Sequence, residues 1–394
     1  MKITYTLEII SWILLCLFPS VCQTLFSSSS LATGLSFALI LFAIFYCFST
    51  SNFFIGYSRT YFLLLLFISL QFLVLLYQSI FPTDPVRSLF SFCFLLLIGL
   101  VAPFVKKSLE KNRKNFFPTF INNIILIFFI NSLLGLLKID LFSIGSSKPV
   151  GFFSEPSIFA ITLAPFLAYH MISKANWYKF YWVYFFIWSL LIQSLTTLIV
   201  CFFTIIFIIS LRNLALFCML TTFILVKFDY FISRINITSS SDNLSALVFL
   251  QGWQMAFNYF IQTNGIGVGL NNFGINYSGG EIQNKIFEQF SFEGINLLDG
   301  GSIGPKLIGE FGLVGLFLLG VFLYKAFYAF IRLRQISRSN LNVAPSIFFT
   351  CVIFTGFIEL FFRGFGYFTP TFFMLIVALF FYKSNDLFSK LTDR

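Results

Sequence analysis

Long runs of apolar residues follow one another along most of the chain, separated by short polar or charged connections. An α-helix needs about 20 mostly apolar residues to cross the roughly 30 Å hydrocarbon core of a bilayer. About twelve runs are candidates, the seventh to ninth being short: Glu8–Phe26, Leu31–Phe48, Tyr61–Ile80, Leu89–Val105, Phe116–Leu137, Pro156–Ile172, Phe180–Gln193, Leu195–Leu211, Leu214–Phe228, Leu307–Phe330, Ser346–Phe361 and Tyr367–Tyr382. Only 10% of the 394 residues are charged, against roughly 25% in soluble domains. The sequence therefore predicts an all-α polytopic integral membrane protein and excludes a water-soluble globular fold.

The positions of Lys and Arg predict which side of the membrane each connection occupies. Cytoplasmic loops are enriched in these residues, and the segments KKSLEKNRKN and RLRQISRSN fall on the same side if there are twelve spans. That side, with both termini, then holds 17 of the 25 basic and 4 of the 15 acidic residues, a net charge of +13 inside and −3 outside. The total of +10 thus reflects membrane orientation and does not indicate a nucleic-acid partner.

One connection, of about 75 residues from Asp229 to Pro305, is far longer than the others and lies on the outer side by this count. Loops of this length in compact proteins are usually functional. The chain therefore divides into helices 1–9 (residues 1–228), a large outer loop (229–305), and helices 10–12 with a short cytoplasmic C-terminus (306–394). We expect the N-terminal run to be retained as a helix, because Glu8 interrupts it and no small-x-small cleavage site follows.

Cysteine and histidine usage restricts the chemistry of any outer site. All seven cysteines lie inside apolar runs, so we expect neither a disulfide framework nor Cys metal ligands. The one histidine, His170, lies at the inner end of the sixth span. This excludes a His base, a Ser-His-Asp triad and a His-ligated metal on the outer side. We predict no metal and no cofactor.

Two short motifs place charged residues at the outer ends of spans. In GFFSEPS, Glu155 precedes the sixth span; it is a functional candidate, or else part of a simple helix start with Ser154 as N-cap. Nearby Lys148 could pair with Glu155 or bind an anion. In IELFFRGFGYF, Glu359 and Arg363 are spaced to form an i,i+4 pair, but ionisable residues at membrane depth are costly and usually functional.

Three further candidate groups surround these motifs. Glu310, in LIGEFGLVG, opens the tenth span on the same outer side, where it could also serve as a helix cap. NGIGVGLNNFG lacks a dinucleotide fingerprint, so its glycines indicate close approach of backbone to a ligand or to protein. We take Asn271 and Asn272 of this turn as candidate substrate-binding residues. Arg234, earlier in the loop, suits a phosphate or is an ordinary surface residue.

The stretch LSALVFLQGWQMAFNYFIQTNGIGVGLNNFG resembles the large periplasmic loop of Wzy-type O-antigen polymerases. GFFSEPS, GPKLIGEFGLVG and IELFFRGFGYF are similar to motifs of that family, in the same order. The resemblance covers most of the chain. It implies a multi-pass glycosyltransferase of the bacterial inner membrane. Such an enzyme transfers the growing O-polysaccharide from undecaprenyl diphosphate to an incoming lipid-linked repeat unit, on the periplasmic face.

The resemblance also implies roles for the candidate residues. Arg363 and Arg234 match positions at which related lipid-linked glycosyltransferases commonly have Arg to neutralise charge, and Lys148 lies near where relatives often have another Arg. Glu155 is the candidate base for the acceptor hydroxyl, or else orients a cation. Glu310, Glu359, Asn271 and Asn272 are expected to help bind diphosphate or sugar. The implied partners are lipid-linked oligosaccharides, a chain-length regulator and a flippase.

Two other functions remain alternatives from the sequence. An O-antigen ligase, which transfers finished polymer to the lipid A core, typically has a His in its large outer loop, and this loop has none. A transporter or flippase of the lipid-linked unit should carry charged residues deep within several spans and often a repeated half. In this chain the conspicuous charges lie at the outer rim, and the two halves show no repeat.

Overall fold

The computed structural model describes residues 2–26, 30–49, 84–110, 116–139, 150–210, 242–275, 280–290, 297–338 and 345–381, with a few further positions between them. These ranges hold α-helices and no β-strand, in agreement with the all-α prediction. The helices are α1 Lys2–Leu25, α2 Ala32–Ser49, α3 Pro85–Glu110, α4 Phe116–Leu136, α5 Pro156–Ile172, α6 Tyr178–Leu191, α7 Leu195–Ile205, α8 Leu244–Gln262, α9 Glu281–Phe290, α10 Ile303–Arg338, α11 Pro345–Phe361 and α12 Pro370–Phe381.

Several of these helices have the character of membrane spans. Four of them, α1, α3, α4 and α10, are long and apolar enough to cross a bilayer, and α2, α5, α7, α11 and α12 are shorter apolar helices. The protein is therefore a helical membrane protein. Two predicted spans, Tyr61–Ile80 and Leu214–Phe228, lie mostly outside the described residues, so the number twelve stays a prediction.

Helix α5 is the central element of the helix assembly. Every residue from Ile158 to Ile172 is buried, because α5 packs against α4, α6, α7, α11 and α12. Phenylalanine rings fill much of this core; Phe128 and Phe159, for example, meet nearly edge to face at 5.6 Å, a favourable geometry for aromatic pairs. This packing fixes the position of the residues that precede the α5 N-terminus, Glu155 among them.

The two ends of the helix assembly carry different polar groups. The N-termini of α3, α5, α10 and α12 and the C-terminus of α11 meet at one end, which we call the site end, through contacts described below. At the opposite end, the Ser108 hydroxyl donates to Glu8 Oε1 at 2.6 Å and Trp12 Nε1 donates to the Ser108 hydroxyl at 3.1 Å. The last turns of α10 carry Arg332, Arg334 and Arg338.

Helix α10 differs from the predicted span Leu307–Phe330 in both length and shape. It runs from Ile303 to Arg338 and is broken at Gly312, whose φ of 55° and ψ of −126° are not helical. Most of the basic segment after the predicted span is helical instead of forming a loop. Periodicity alone did not reveal the break, because the residues on both sides of it remain apolar.

The glycine-rich turn of the large loop lies against this break. Val268 N donates to Gly309 O at 2.9 Å, Gly269 N to Glu310 O at 2.8 Å, and Leu313 N to Gly265 O at 2.8 Å. Backbone groups without a partner are costly where water does not reach them, and the turn supplies partners for those freed by the break. Of the two possibilities for this glycine motif, the structure shows close packing of backbone on protein.

Candidate functional site

Glu155 and Arg363, which are 208 residues apart in the sequence, form an ion pair at the site end. Arg363 Nη2 lies 3.3 Å from Glu155 Oε2, and the two side chains are 24% and 48% exposed. The Ser157 hydroxyl donates to the same Oε2 at 2.8 Å. Exposure of both partners leaves the pair reachable from outside the protein, so it is the first candidate for contact with a substrate.

The start of α5 presents Glu155 to this pair. Glu155 itself is the N-cap residue, with extended backbone angles and no capping hydrogen bond from its side chain, and Pro156 opens the helix. The suggested N-cap role of Ser154 is therefore wrong; its hydroxyl donates to Gln23 Oε1 of α1 at 3.3 Å. The Glu155 carboxylate is thus not used for capping and is directed to Arg363.

The end of α11 presents Arg363 from the other side. The helix ends at Phe361, and Phe362 N and Arg363 N both donate to Ile358 O, at 2.9 and 3.0 Å. The guanidinium then lies 4.7 Å from the centre of the Phe365 ring, a cation–π contact. The ring and the Glu155 carboxylate together hold the guanidinium in one place.

Glu359 does not take part in this pair. Its side chain is buried, and it accepts a hydrogen bond from the Thr369 hydroxyl, which in turn accepts from Phe372 N in the first turn of α12 at 3.0 Å. The possible i,i+4 pair with Arg363 is therefore wrong, because Arg363 lies beyond the end of α11. Glu359 links α11 to α12.

A second group of polar residues surrounds the buried Lys306 in the first half of α10. Lys306 Nζ donates to Asn271 Oδ1 at 3.1 Å and to Leu298 O at 2.6 Å. It lies 3.8 Å from Glu310 Oε1 and 3.9 Å from Asp299 Oδ1, and 5.2 Å from the centre of the Tyr367 ring. We call Lys306, Glu310, Asn271, Asp299 and Tyr367 the Lys306 cluster. The Lys306 ammonium group thus has hydrogen-bond acceptors and carboxylates close to it, as a buried charge requires.

The two candidate asparagines hold the large loop against α3. Asn271 Nδ2 donates to the Ser91 hydroxyl at 2.8 Å, and Arg87 Nη2 donates to Asn271 Oδ1 at 3.4 Å. The Ser88 hydroxyl donates to Asn272 Oδ1 at 3.1 Å. Both amides thus have partners within the protein, and these hydrogen bonds join the large loop to α3.

Removing the Asn271 amide is expected to loosen this junction. Asn271→Ala leaves Lys306, Ser91 and Arg87 each without one hydrogen-bond partner, and a buried polar group left unsatisfied costs about 1–3 kcal/mol. We expect a lower midpoint of thermal unfolding for the purified variant in detergent. Asn284→Ala, at an exposed position of α9, is the control and should leave the midpoint unchanged. Equal midpoints for the two variants would show that the junction does not stabilise the fold.

Burial also keeps tyrosines near the cluster neutral. Burial, with smaller contributions from Tyr277 and from the Glu310 charge, raises the pKa of Tyr259 in α8 to about 12. The Tyr277 hydroxyl accepts from Asn258 Nδ2 at 3.2 Å, and burial raises the pKa of Tyr277 as well. Both phenols are therefore neutral near pH 7, and Tyr259, whose pKa responds to the Glu310 charge, adds no negative charge near it.

The loop between α11 and α12 joins the ion pair to the Lys306 cluster. Arg363 and Tyr367 lie in it four residues apart, and Gly364 N donates to Gly301 O at 3.1 Å, just before α10. A Cβ atom on Gly366 would lie 3.2 Å from Asp299 Oδ1. One short loop therefore contributes residues to both groups.

The surroundings of two more residues discussed from the sequence, Lys148 and His170, are described in the structure. Lys148 Nζ donates to Gln193 O at 3.5 Å, and the ion pair of Glu155 is formed with Arg363 instead. Arg234 lies outside the described residues. His170 lies in the last turn of α5, at the opposite end of that helix from Glu155. Within the described ranges, no group of three or more His, Cys, Asp or Glu residues could hold a metal ion.

Lys306, Asp299, Arg87 and Tyr367 were not predicted from the sequence. One signal was available: Lys306 and Glu310 are four residues apart at the start of an apolar run, the spacing of a helical ion pair. Asp299, Arg87 and Tyr367 are distant from Lys306 in sequence or lie in turns. No spacing rule connects them.

The fold and these two groups define a helical membrane protein with an exposed ion pair and, joined to it by one loop, a polar cluster around the buried Lys306. Comparison of the chain with protein-family models, with curated proteins and with solved structures finds no match.

Proposed function

We propose that this protein is a Wzy-type O-antigen polymerase. It extends O-polysaccharide by transferring the growing chain from undecaprenyl diphosphate to the non-reducing end of an incoming lipid-linked repeat unit. The observation that carries the proposal is the exposed ion pair of Glu155 and Arg363. Its two residues come from two of the sequence motifs that resemble this family.

The proposal includes a topology. The protein crosses the bacterial inner membrane twelve times, with both termini in the cytoplasm and the large loop in the periplasm. The position of Arg332, Arg334 and Arg338 at the end of α10 opposite the site supports this orientation, because cytoplasmic ends are rich in Lys and Arg. The site end then faces the periplasm.

The proposed reaction needs positioning and charge neutralisation more than a cofactor. The acceptor hydroxyl oxygen forms a bond to the anomeric carbon of the donor sugar, while the bond from that carbon to the diphosphate oxygen breaks. Undecaprenyl diphosphate leaves with the bonding electron pair, and the hydroxyl proton passes to a base. Donors aimed at a developing negative charge commonly give the largest part of such catalysis.

In this scheme Arg363 stabilises the departing diphosphate, since a guanidinium can donate two parallel hydrogen bonds to phosphate oxygens. Glu155 orients that guanidinium, or accepts the acceptor proton once the diphosphate has drawn Arg363 away. Lys148 and Arg234 supply further positive charge to the diphosphate. Four other candidate residues have partners within the protein, which supports a role in holding the site in shape: Glu310, Glu359, Asn271 and Asn272.

The direct test is polymerisation by the isolated protein. Purified protein in detergent, given lipid-linked repeat units, is expected to produce a ladder of longer lipid-linked oligosaccharides on a gel. Formation of the ladder excludes a pure transporter, which makes no bonds. Absence of products, in conditions where an authentic polymerase is active, would contradict the proposal.

A deletion strain separates the polymerase from the ligase. Loss of a polymerase leaves lipid A core carrying single repeat units, whereas loss of a ligase leaves core without O-antigen sugar. We expect the first pattern, restored to long chains by the wild-type gene. The second pattern would identify the protein as a ligase.

A further inference from the structure

Part of the large loop exposes several large apolar side chains, with the exposed polar residues Gln262 and Asn264 between two of them. Phe257 and Ile261, one helical turn apart on α8, are 65% and 56% exposed, and Ile266 in the following turn is 53% exposed. The opposite face of α8 is packed on protein through Met255, Ala256 and Tyr259. Large apolar side chains exposed beside a packed face indicate a second binding surface.

The exposed apolar side chains continue onto α10. A Cβ atom on Gly265 would lie 3.2 Å from Leu313 Cγ and 3.6 Å from the Phe260 ring, and Leu313 N donates to Gly265 O. Ile266 therefore lies beside Leu313. Beyond it, α10 exposes Leu313, Val314 and Phe317, which are 62%, 50% and 69% exposed.

The second half of α10 fixes the depth of Leu313 in the membrane. The 19 residues from Leu313 to Ile331 contain one charged residue, Lys325, and are followed by Arg332 and Arg334. A hydrocarbon core takes about 20 residues of helix, so Leu313 lies at the boundary opposite these arginines. Ile266, beside Leu313, lies at the same boundary.

We propose that the C-terminal half of α8 and the turn after it lie on the bilayer, with Phe257, Ile261 and Ile266 inserted among the lipid chains. The occupant of this surface is bilayer lipid, because the surface is continuous with the lipid-facing side of a membrane-spanning helix. Apolar side chains on one face are what holds an interfacial helix at the membrane surface. The large loop is thus partly membrane-bound.

Photocrosslinking in lipid nanodiscs tests the inference. The benzophenone amino acid p-benzoylphenylalanine is introduced in place of Phe257, Ile261 or Ile266, one position at a time, in the full-length protein. Phe287 on α9 is the matched control, since it is also an exposed phenylalanine of the loop but lies among the exposed Glu281, Glu288 and Gln289. After irradiation, intact-mass spectrometry measures phospholipid adducts.

We expect several-fold more phospholipid adduct at Phe257, Ile261 and Ile266 than at Phe287. Each variant is first checked for the elution volume and melting temperature of the wild type, so that only folded protein is compared. Equal adduct yields at the three positions and the control would overturn the inference. So would crosslinks from these positions to a second copy of the chain, which would make the surface a protein interface.

Discussion

Arg363→Ala is expected to abolish most chain extension while leaving the protein folded. In the proposed reaction the guanidinium meets negative charge that develops on the departing diphosphate, and loss of one such donor typically slows catalysis about 100- to 1,000-fold. The Arg363 side chain is partly exposed and lies in the loop after α11. Its removal should therefore change the free energy of unfolding little. The measurement is the rate of ladder formation from lipid-linked units at equal protein concentration.

Two arginine variants separate the guanidinium from simple charge. Arg363→Lys keeps the charge but loses the two-pronged hydrogen bonding, so we expect an activity between those of Arg363→Ala and the wild type. Arg338→Ala removes an exposed arginine at the opposite end of α10 and should retain full activity. Unchanged polymer length in Arg363→Ala, at equal protein level, would remove this residue from the mechanism.

Glu155→Gln distinguishes the two roles left open for Glu155. If the carboxylate only orients Arg363, then Glu155→Gln should slow chain extension less than Arg363→Ala does. The double variant should then be no slower than Arg363→Ala alone. Groups that act through one another give such non-additive effects. If Glu155 is the base, then Glu155→Gln should slow the reaction by itself at every substrate concentration, and the double variant should be slower than either single variant.

The helical fold and two residues of the candidate site could be predicted because their signals are local. An apolar run sets a helix of membrane length whatever its partners, and an acid or arginine beside such a run is conspicuous, as Glu155 and Arg363 are. Their pairing could not be predicted, since 208 residues separate them and only the packing of α5 against α11 brings them together.

The Lys306 cluster and the break in α10 depend on contacts between distant segments. Lys306 is satisfied by Asn271 from the turn and by Leu298 from the chain before α10, which sequence spacing does not bring together. The alternation of Gly265, Gly267 and Gly269 predicts a close approach of backbone, but it does not identify the partner. That partner is the backbone of Gly309, Glu310 and Leu313, and local patterns hold no information about it.

Gly312→Ala is expected to prevent normal folding of the protein. Gly312 has a φ of 55°, and a Cβ atom there would lie 1.9 Å from Gly265 O, a backbone atom that cannot rotate away. Backbone strain of this kind lowers the free energy of unfolding by about 1–3 kcal/mol. If the turn separates from the break, then each buried hydrogen bond lost lowers the free energy of unfolding by about a further 1–3 kcal/mol. We expect little monodisperse protein on size-exclusion chromatography, and a much lower melting temperature for any that is recovered.

Gly320→Ala is the matched control for this change, since it lies in the same helix and a Cβ atom there would meet nothing within 4 Å. Alanine is favoured over glycine in a helix interior by about 1 kcal/mol, so this variant should be as stable as the wild type or slightly more so. A Gly312→Ala protein that matched Gly320→Ala in yield and melting temperature would mean that α10 runs unbroken through position 312. The turn from Gly265 to Gly269 would then have no freed backbone groups to bind, and Ile266 would lose the hydrogen-bonded anchor that holds it beside Leu313 at the membrane boundary.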